Sequence, residues 1–331
     1  MKKIGWPKIV LGLNPYGVSY FCGLQGRDTI RENPKGVGLE GFIGLGIEMG
    51  AKVLEIFDPW LTSLSDKDLV RLRQRLEFLG IVPVVSGRYI TSNTDSVFRS
   101  AELLRAKVIR FALTDILCGN RSERKDWSEL NSKVKKSIEK VGARAGELGI
   151  SIAIENHQDF TSSELVEFCN LDPSVGLTFD TGNTFPVAEA PLDFTRRVAP
   201  YVRHLHLKDY RIQFNEQGFR LVRCTIGSGA VPFDKIFEIL GEHMKVITAV
   251  LEPGALESRQ VNLFTPNWWK GYSKRPAEDL AACLLAAQSG KMYDGENYKT
   301  PWENQNDAVL IQYELDMIRH SFDNMNNIGI D

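Results

Sequence analysis

The stretch Ser151-Ile-Ala-Ile-Glu-Asn-His-Gln-Asp159 decides how the rest of the chain is read. Ile152 and Ile154 leave no polar group until the apolar run stops, and then Glu155, Asn156, His157 and Asp159 arrive together. The pattern predicts a buried strand with its chemistry at the carboxyl edge. In a parallel α/β barrel, functional groups collect at the C-terminal ends of the strands. Three later apolar runs end in the same way, in Asp180, His206 and Glu252. Together the four residues predict a single divalent-metal site at a barrel mouth.

Outward from that stretch the chain alternates. Apolar β-rich runs fall at 9–13, 53–57, 81–85, 107–111, 175–179, 202–207 and 246–251. Helical patterns lie between them. Leu69, Leu72, Leu76 and Leu79 share one helical face before Gly80, and Leu130, Val134, Ile138, Val141, Ala145 and Leu148 share another before Gly149. Asp126 with Glu129 three residues later resembles a capping box at the start of that second helix. Eight strands alternating with helices predict a closed barrel, because closure leaves no sheet edge to protect. No G-x-G-x-x-G opens a helix after an early strand, which weakens a dinucleotide-binding alternative. The fold class is therefore α/β, a (β/α)8 TIM barrel with a C-terminal extension. Residues 1–290 make the barrel, and 291–331 a polar tail with a late apolar helix that packs on the barrel or on a partner subunit. The stretch 14–38 is long and aromatic enough to be a functional loop, and the connection from 208 to 233 reads as a long loop.

The 331 residues are 43% hydrophobic and 25% charged, the composition of an ordinary soluble globular protein. A formal net charge of -2 argues against a general polyanion binder. Met1-Lys2-Lys3 and the residues after it do not resemble a signal peptide, and no apolar run is long enough to cross a bilayer. Cys22, Cys118, Cys169, Cys224 and Cys283 are scattered and odd in number, which points to reduced thiols in a cytoplasmic protein.

Carboxylates and imidazole suit Mn²⁺, Mg²⁺, Co²⁺ or Zn²⁺, and the set Glu155, Asp180, His206 and Glu252 leans towards the harder ions. A buried ionic network is the bland alternative. His204 and His206 share one side of their strand, with His206 nearer the mouth as the ligand and His204 one layer deeper, where a satisfied core histidine or a substrate contact are the roles open to it. Lys208 lies one step further out, within reach of substrate oxygens. His157 beside Glu155 is a candidate general base, since an imidazole titrates near neutrality. Its alternative role is to orient a ligand. Asn156 is a further candidate substrate contact. Trp268 and Trp269, adjacent in a polar loop, suggest a stacking surface for a sugar or aromatic ring, or a subunit contact.

The ordered motifs Ile154-Glu-Asn-His157, Phe179-Asp-Thr-Gly-Asn183, His204-Leu-His-Leu-Lys-Asp209, Ile226-Gly-Ser-Gly229 and Leu251-Glu-Pro253 resemble the xylose-isomerase-like sugar phosphate isomerase/epimerase superfamily. That resemblance implies a TIM barrel with the metal, usually Mn²⁺, on Glu155, Asp180, His206 and Glu252. It also implies proton removal next to a sugar ketone, with an enediolate stabilised by the metal. Ketose epimerases of this kind use two metal-bound glutamates as acid and base, which implies Glu155 and Glu252. The chain departs from them in offering His157, the Trp268-Trp269 loop and an extended tail. In those departures it is similar to the α subunits of bacterial C-glycoside deglycosidases. This likeness implies elimination from a 3-oxo-glucoside with release of the aglycone, His157 as base, a small β subunit and an oligomeric enzyme. A keto-sugar epimerase or isomerase is the first alternative, and a non-catalytic barrel subunit the second. A DNA-repair endonuclease of the same barrel type needs more His and Asp ligands and a positive groove, which five histidines and this net charge do not supply. No nucleic-acid or membrane partner is expected.

Overall fold

A computed structural model describes residues 5–330; Met1–Ile4 and Asp331, and with them the N-terminal Met1-Lys2-Lys3 stretch, lie outside the described residues. The barrel strands are β1 (Lys8–Leu13), β2 (Val53–Phe57), β3 (Val82–Tyr89), β4 (Val108–Ala112), β5 (Ser151–Glu155), β6 (Val175–Asp180) and β7 (Val202–Leu207). After a hairpin, β8 (Tyr210–Asn215) and β9 (Gly218–Arg223), the last barrel strand is β10 (Val246–Leu251). They close in the order β1-β10-β7-β6-β5-β4-β3-β2, each parallel to its neighbours. Closure is tight where β1 meets β2. Gly12 lies opposite Val53, and a Cβ there would fall 1.7 Å from the Val53 carbonyl oxygen, so no larger residue fits.

The intervening helices are α1 (Gly38–Glu48), α2 (Asp58–Thr62), α3 (Asp66–Leu79), α4 (Asp95–Leu104), α5 (Trp127–Leu148), α6 (Ser162–Cys169), α7 (Pro191–Val198) and α8 (Phe233–His243). The expected stripes face inward: Leu69, Leu72 and Leu76 of α3 and Val134, Ile138, Val141 and Ala145 of α5 are buried. Gly149 ends α5 in the left-handed region, at φ 63°, where glycine carries no Cβ penalty. The start of α5 differs from expectation. Asp126 caps no backbone N–H there; both its carboxylate oxygens take hydrogen bonds from Arg124, at 2.9 and 3.0 Å.

A second difference lies after β7. The connection expected as a loop folds into the β8–β9 hairpin, and β11 (Arg259–Val261) pairs with β9 to make a three-stranded antiparallel sheet. The turn is tight, with Gly218 at φ 147°. The buried residues Ile212, Phe219, Leu221 and Val261 join this sheet to the main core.

The chain then continues through α9 (Ala277–Ser289) to α10 (Leu310–Ile328), which packs against the turn after β1. Glu314 of α10 is fully buried and accepts hydrogen bonds from Ser19 Oγ (3.3 Å) and from the backbone N–H groups of Tyr20 (3.1 Å) and Phe21 (2.8 Å). Arg31 of the same loop forms an ion pair with Asp307 and lies over the Trp302 ring. The extension thus holds the 14–37 loop in place. Glu314→Ala strands three donors, two of them buried, and is expected to destabilise the fold by about 2–4 kcal/mol. Denaturant melts would show this, with the loss falling first on protease protection of the 14–37 loop.

Candidate metal centre

Strand ends bring the four predicted ligands together. Glu155 closes β5, Asp180 closes β6, His206 is the penultimate residue of β7, and Glu252 directly follows β10. All four are buried, and one ligand atom from each lies within 4.8 Å of those of the other three. His206 Nδ1 sits 3.0 Å from Glu252 Oε2 and 3.5 Å from Glu155 Oε1. These three atoms are buried without a hydrogen-bond partner.

What fixes this geometry is a residue that the sequence reading passed over. Glu55, in the middle of β2, takes the Nε2–H of His206 at 2.6 Å and the amide of Asn14 at 3.1 Å. With Nε2 committed to Glu55, Nδ1 presents a lone pair to two carboxylate oxygens. That arrangement is repulsive unless a cation, a proton or a metal ion, lies between them. A carboxylate that orients a histidine so that its other nitrogen faces the cluster is the usual support for a metal ligand. The donor set therefore fits a divalent cation: three carboxylates and one imidazole suit Mn²⁺, Mg²⁺ or Co²⁺. Glu55→Gln is expected to weaken metal binding about 10- to 100-fold while the fold stays intact, readable by calorimetric titration with Mn²⁺.

Asp180 is braced from several sides. Its Oδ1 accepts the N–H groups of Gly182 (3.0 Å) and Asn183 (3.1 Å), and its Oδ2 accepts Asn183 Nδ2 at 2.9 Å. Lys208 Nζ bridges Asp180 Oδ2 (2.5 Å) and Glu252 Oε1 (2.7 Å). Arg110, in the middle of β4, caps the outer oxygen of Glu155 and reaches the Gly87 carbonyl at 3.3 Å. A Cβ at Gly87 would lie 2.3 Å from the Phe111 ring, so glycine lets β3 pass beside β4 here.

The charges shift as these contacts dictate. Burial pushes the Glu155 carboxyl up, but Arg110 and His206 outweigh it and hold it well below the ordinary range. Glu55 is likewise held low against its burial by His206, His204 and Arg110. Asp180 is pushed up to about 7, chiefly by burial and by Glu252 and Glu155, against the pull of Lys208. His157 is taken down to about 4 by burial, which keeps its imidazole neutral at pH 7.

Above the cluster opens a cavity of about 340 Å³, lined among others by Tyr16, Arg88, Arg110, His157, Lys208 and Glu252. Of the expected substrate-side residues, His157 and Lys208 reach it. His157 Nδ1 has no hydrogen-bond partner. Four others do not line it. Asn156 locks the ends of β5 and β6 together, donating to the Asp180 carbonyl at 2.8 Å and accepting its N–H at 2.7 Å. His204 is fully buried, with Nδ1 2.7 Å from Thr248 Oγ1 and Nε2 3.3 Å from Glu55, so it serves the core beneath the metal centre. Trp268 is 1% exposed, gives its indole N–H to the Cys118 carbonyl at 2.8 Å and stacks on Tyr272. Trp269 donates to the Leu263 carbonyl at 2.7 Å and packs edge-on against Trp268. These bonds give Asn156 and the tryptophan pair packing roles in place of the expected substrate contacts, and give His204 the core role that was one of the two open to it.

All five cysteines are buried and free. Among the described residues no helix is long and apolar enough to cross a membrane.

Comparison with known proteins places this geometry in context. A stretch of 125 residues is 30% identical to an inosose dehydratase of Bacillus thuringiensis (strain Al Hakam), covering 33% of this chain and 42% of that enzyme. The chain thus spans less than half the length of the curated relatives it matches first. In solved structures, a xylose isomerase-like TIM barrel protein from Mycobacterium smegmatis in complex with magnesium superposes with a TM-score of 0.54 at 17% identity, over 96% of this chain and 99% of that one. A D-psicose 3-epimerase crystallised with D-fructose gives a TM-score of 0.52 at 20% identity, over 76% and 92%. At these identities the two structures speak for the fold alone. The family model described as the xylose isomerase-like TIM barrel matches residues 45–257, the span that carries all four clustered ligands, and the chain belongs to that family.

Proposed function

We propose that this chain catalyses a metal-dependent β-elimination from a keto sugar or cyclitol, removing the proton next to the ketone, and that its substrate is a 3-oxo-C-glucoside whose aglycone departs. The observation that carries this reading is the contrast between His157 and Glu155. An epimerase of the two-glutamate type needs Glu155 free to exchange a proton, and here Arg110 caps it. His157, two residues on, faces the same cavity with a neutral imidazole and an unpartnered Nδ1. One base on one face suits elimination, in which the electron pair leaves with a group and no second face is protonated.

Glu155, Asp180, His206 and Glu252 would hold a divalent cation, Mn²⁺ being the proposed ion, which would supply Lewis-acid polarisation of the ketone. His157 takes the proton from the carbon beside the ketone. That C–H electron pair becomes a C=C bond, and the bond from the next carbon to the leaving group breaks with its pair. The departing carbon or oxygen takes a proton in turn. Tyr16 is the donor on offer, because it lines the cavity and burial raises its phenol to about 12, so it stays protonated. Lys208 keeps the Asp180 and Glu252 carboxylates in register. The name of the inosose dehydratase relative denotes loss of water, an elimination with hydroxide as the leaving group. A small β subunit and an oligomeric, cytoplasmic enzyme go with the C-glycoside reading.

The test is product analysis on the Mn²⁺-loaded protein, with and without chelator, offered a 3-oxo-C-glucoside, an inosose and a free ketose. Metal-dependent release of aglycone supports the proposal in full. Dehydration of the inosose alone retains the elimination and removes the C-glycoside. A rearranged ketose with no elimination product overturns it in favour of an epimerase, and no reaction on any of the three points to a non-catalytic barrel.

A further inference from the structure

Several arginines of this fold end on carboxylates, as Arg75 does on Glu40, Arg99 on Asp66, Arg144 on Asp95 and Arg319 on Glu48. Two arginines at the cavity do not. Arg88, at the end of β3, has only the neighbouring Tyr89 ring, 5.5 Å away, as a partner among the described residues. Arg259, the first residue of β11, has no ion pair among the described residues, and its buried Nε has no acceptor there. Strand alternation explains its direction. Gln260 turns away to bond Asn215 at 2.9 Å, while Arg259 shares a face with the buried Val261 and lines the cavity. The small sheet that the sequence reading missed is thus what delivers this residue to the barrel mouth.

The carboxylates lining the same cavity do not pair with them, and Glu252 is held by Lys208. Glu257 accepts a hydrogen bond from Gln25 at 3.0 Å and forms no ion pair with either arginine. Taking the cavity and its floor together, Arg88, Arg110, Lys208 and Arg259 are balanced by Glu155, Asp180, Glu252 and Glu257, and Glu55 adds one negative charge beside a His206 that is neutral when its Nδ1 faces a metal ion. A divalent cation at the centre then leaves the cavity positive. A neutral sugar offers no compensation for that charge. An arginine fork matches a carboxylate or phosphate by paired, charge-assisted hydrogen bonds.

We propose that Arg88 and Arg259 form a subsite for an anionic substituent, a carboxylate or phosphate carried by the substrate away from its ketone. The inference takes from the preceding reading only that this cavity is where the sugar binds. It narrows the substrate to an acidic or phosphorylated sugar, or to a glycoside with an acidic aglycone.

Calorimetric titration tests it without turnover. D-Glucose, D-glucuronate and glucose 6-phosphate are titrated into the Mg²⁺-loaded and the metal-free protein, and into Arg88→Gln, Arg259→Gln and Arg259→Lys. The expected result is that at least one anionic hexose binds about tenfold or more tightly than glucose in both preparations, and that high salt erodes the difference. Arg88→Gln and Arg259→Gln should each reduce the preference, and Arg259→Lys should keep most of it. Tighter glucuronate marks a carboxylate site, and tighter glucose 6-phosphate a phosphate site. Equal binding of all three, no binding of either anion, or a preference that survives both glutamine variants overturns the proposal. Arg88 is exposed, so its variant keeps the test valid even if Arg259→Gln is poorly folded. Because binding is read separately from product, the anion subsite can stand while the elimination chemistry fails, and the reverse.

Discussion

His157→Ala is expected to lower kcat by about 10²- to 10⁴-fold and to leave metal content and Tm close to those of the parent. The size follows from the role. A positioned base that takes the proton in the rate-determining step contributes that much, and nothing else on that side of the cavity is free to replace it. Glu155 is capped by Arg110, and Lys208 is held between Asp180 and Glu252. The selectivity follows from the bonds His157 lacks. Its Nδ1 has no protein partner, and it is not one of the four clustered ligands. Removing it therefore breaks no network. A parallel loss of metal would show instead that His157 orients a ligand, the alternative weighed from sequence.

Loss of the metal should have the other large effect. Chelation, or Asp180→Ala, is expected to abolish turnover and to lower Tm by several degrees, since an ion present at a hundredfold excess over its Kd stabilises the folded state by about 2.7 kcal/mol. The buried arrangement explains the sign. Without a cation, His206 Nδ1 and the inner oxygens of Glu155 and Glu252 face one another unpaired. In Asp180→Ala added Mn²⁺ should no longer raise Tm, because one ligand and its bridge to Lys208 are gone. A melting temperature indifferent to metal in the parent protein would count against the cluster as a cation site.

The barrel and the four clustered residues were legible because each rests on a local signal. An apolar run that stops at a charged residue reports a strand end, and parallel strands of a barrel place their ends together. What was missed lies where the signal was of another kind. Glu55 and Arg110 sit in the middle of buried strands, the one place in such a run where a charge has no bland explanation. That oddity alone marks them as partners of something buried. The β8–β9 hairpin escaped because its alternation is partly polar, with Arg211, Gln213 and Arg220 on the outward face. Arg259 could not be foreseen without it. Trp268 and Trp269 misled for a physical reason. A tryptophan pair in a polar loop has to bury its rings somewhere, and here the loop folds back so that both indoles find backbone carbonyls and a tyrosine instead of a ligand. Asn156 carried the right residue type but faces along the strand ends, whereas the deeper place of His204 was legible from its position two residues before His206.

The most direct test of the central claim, abstraction of the proton beside a ketone at this metal centre, is proton NMR of a 3-oxo-glycoside incubated in D₂O with the Mg²⁺-loaded protein. The predicted result is loss of the α-proton signal, by exchange or by elimination, that disappears on chelation and in His157→Ala. An α-proton signal that persists unchanged beside the loaded parent protein, or decays equally without the metal, would contradict the account.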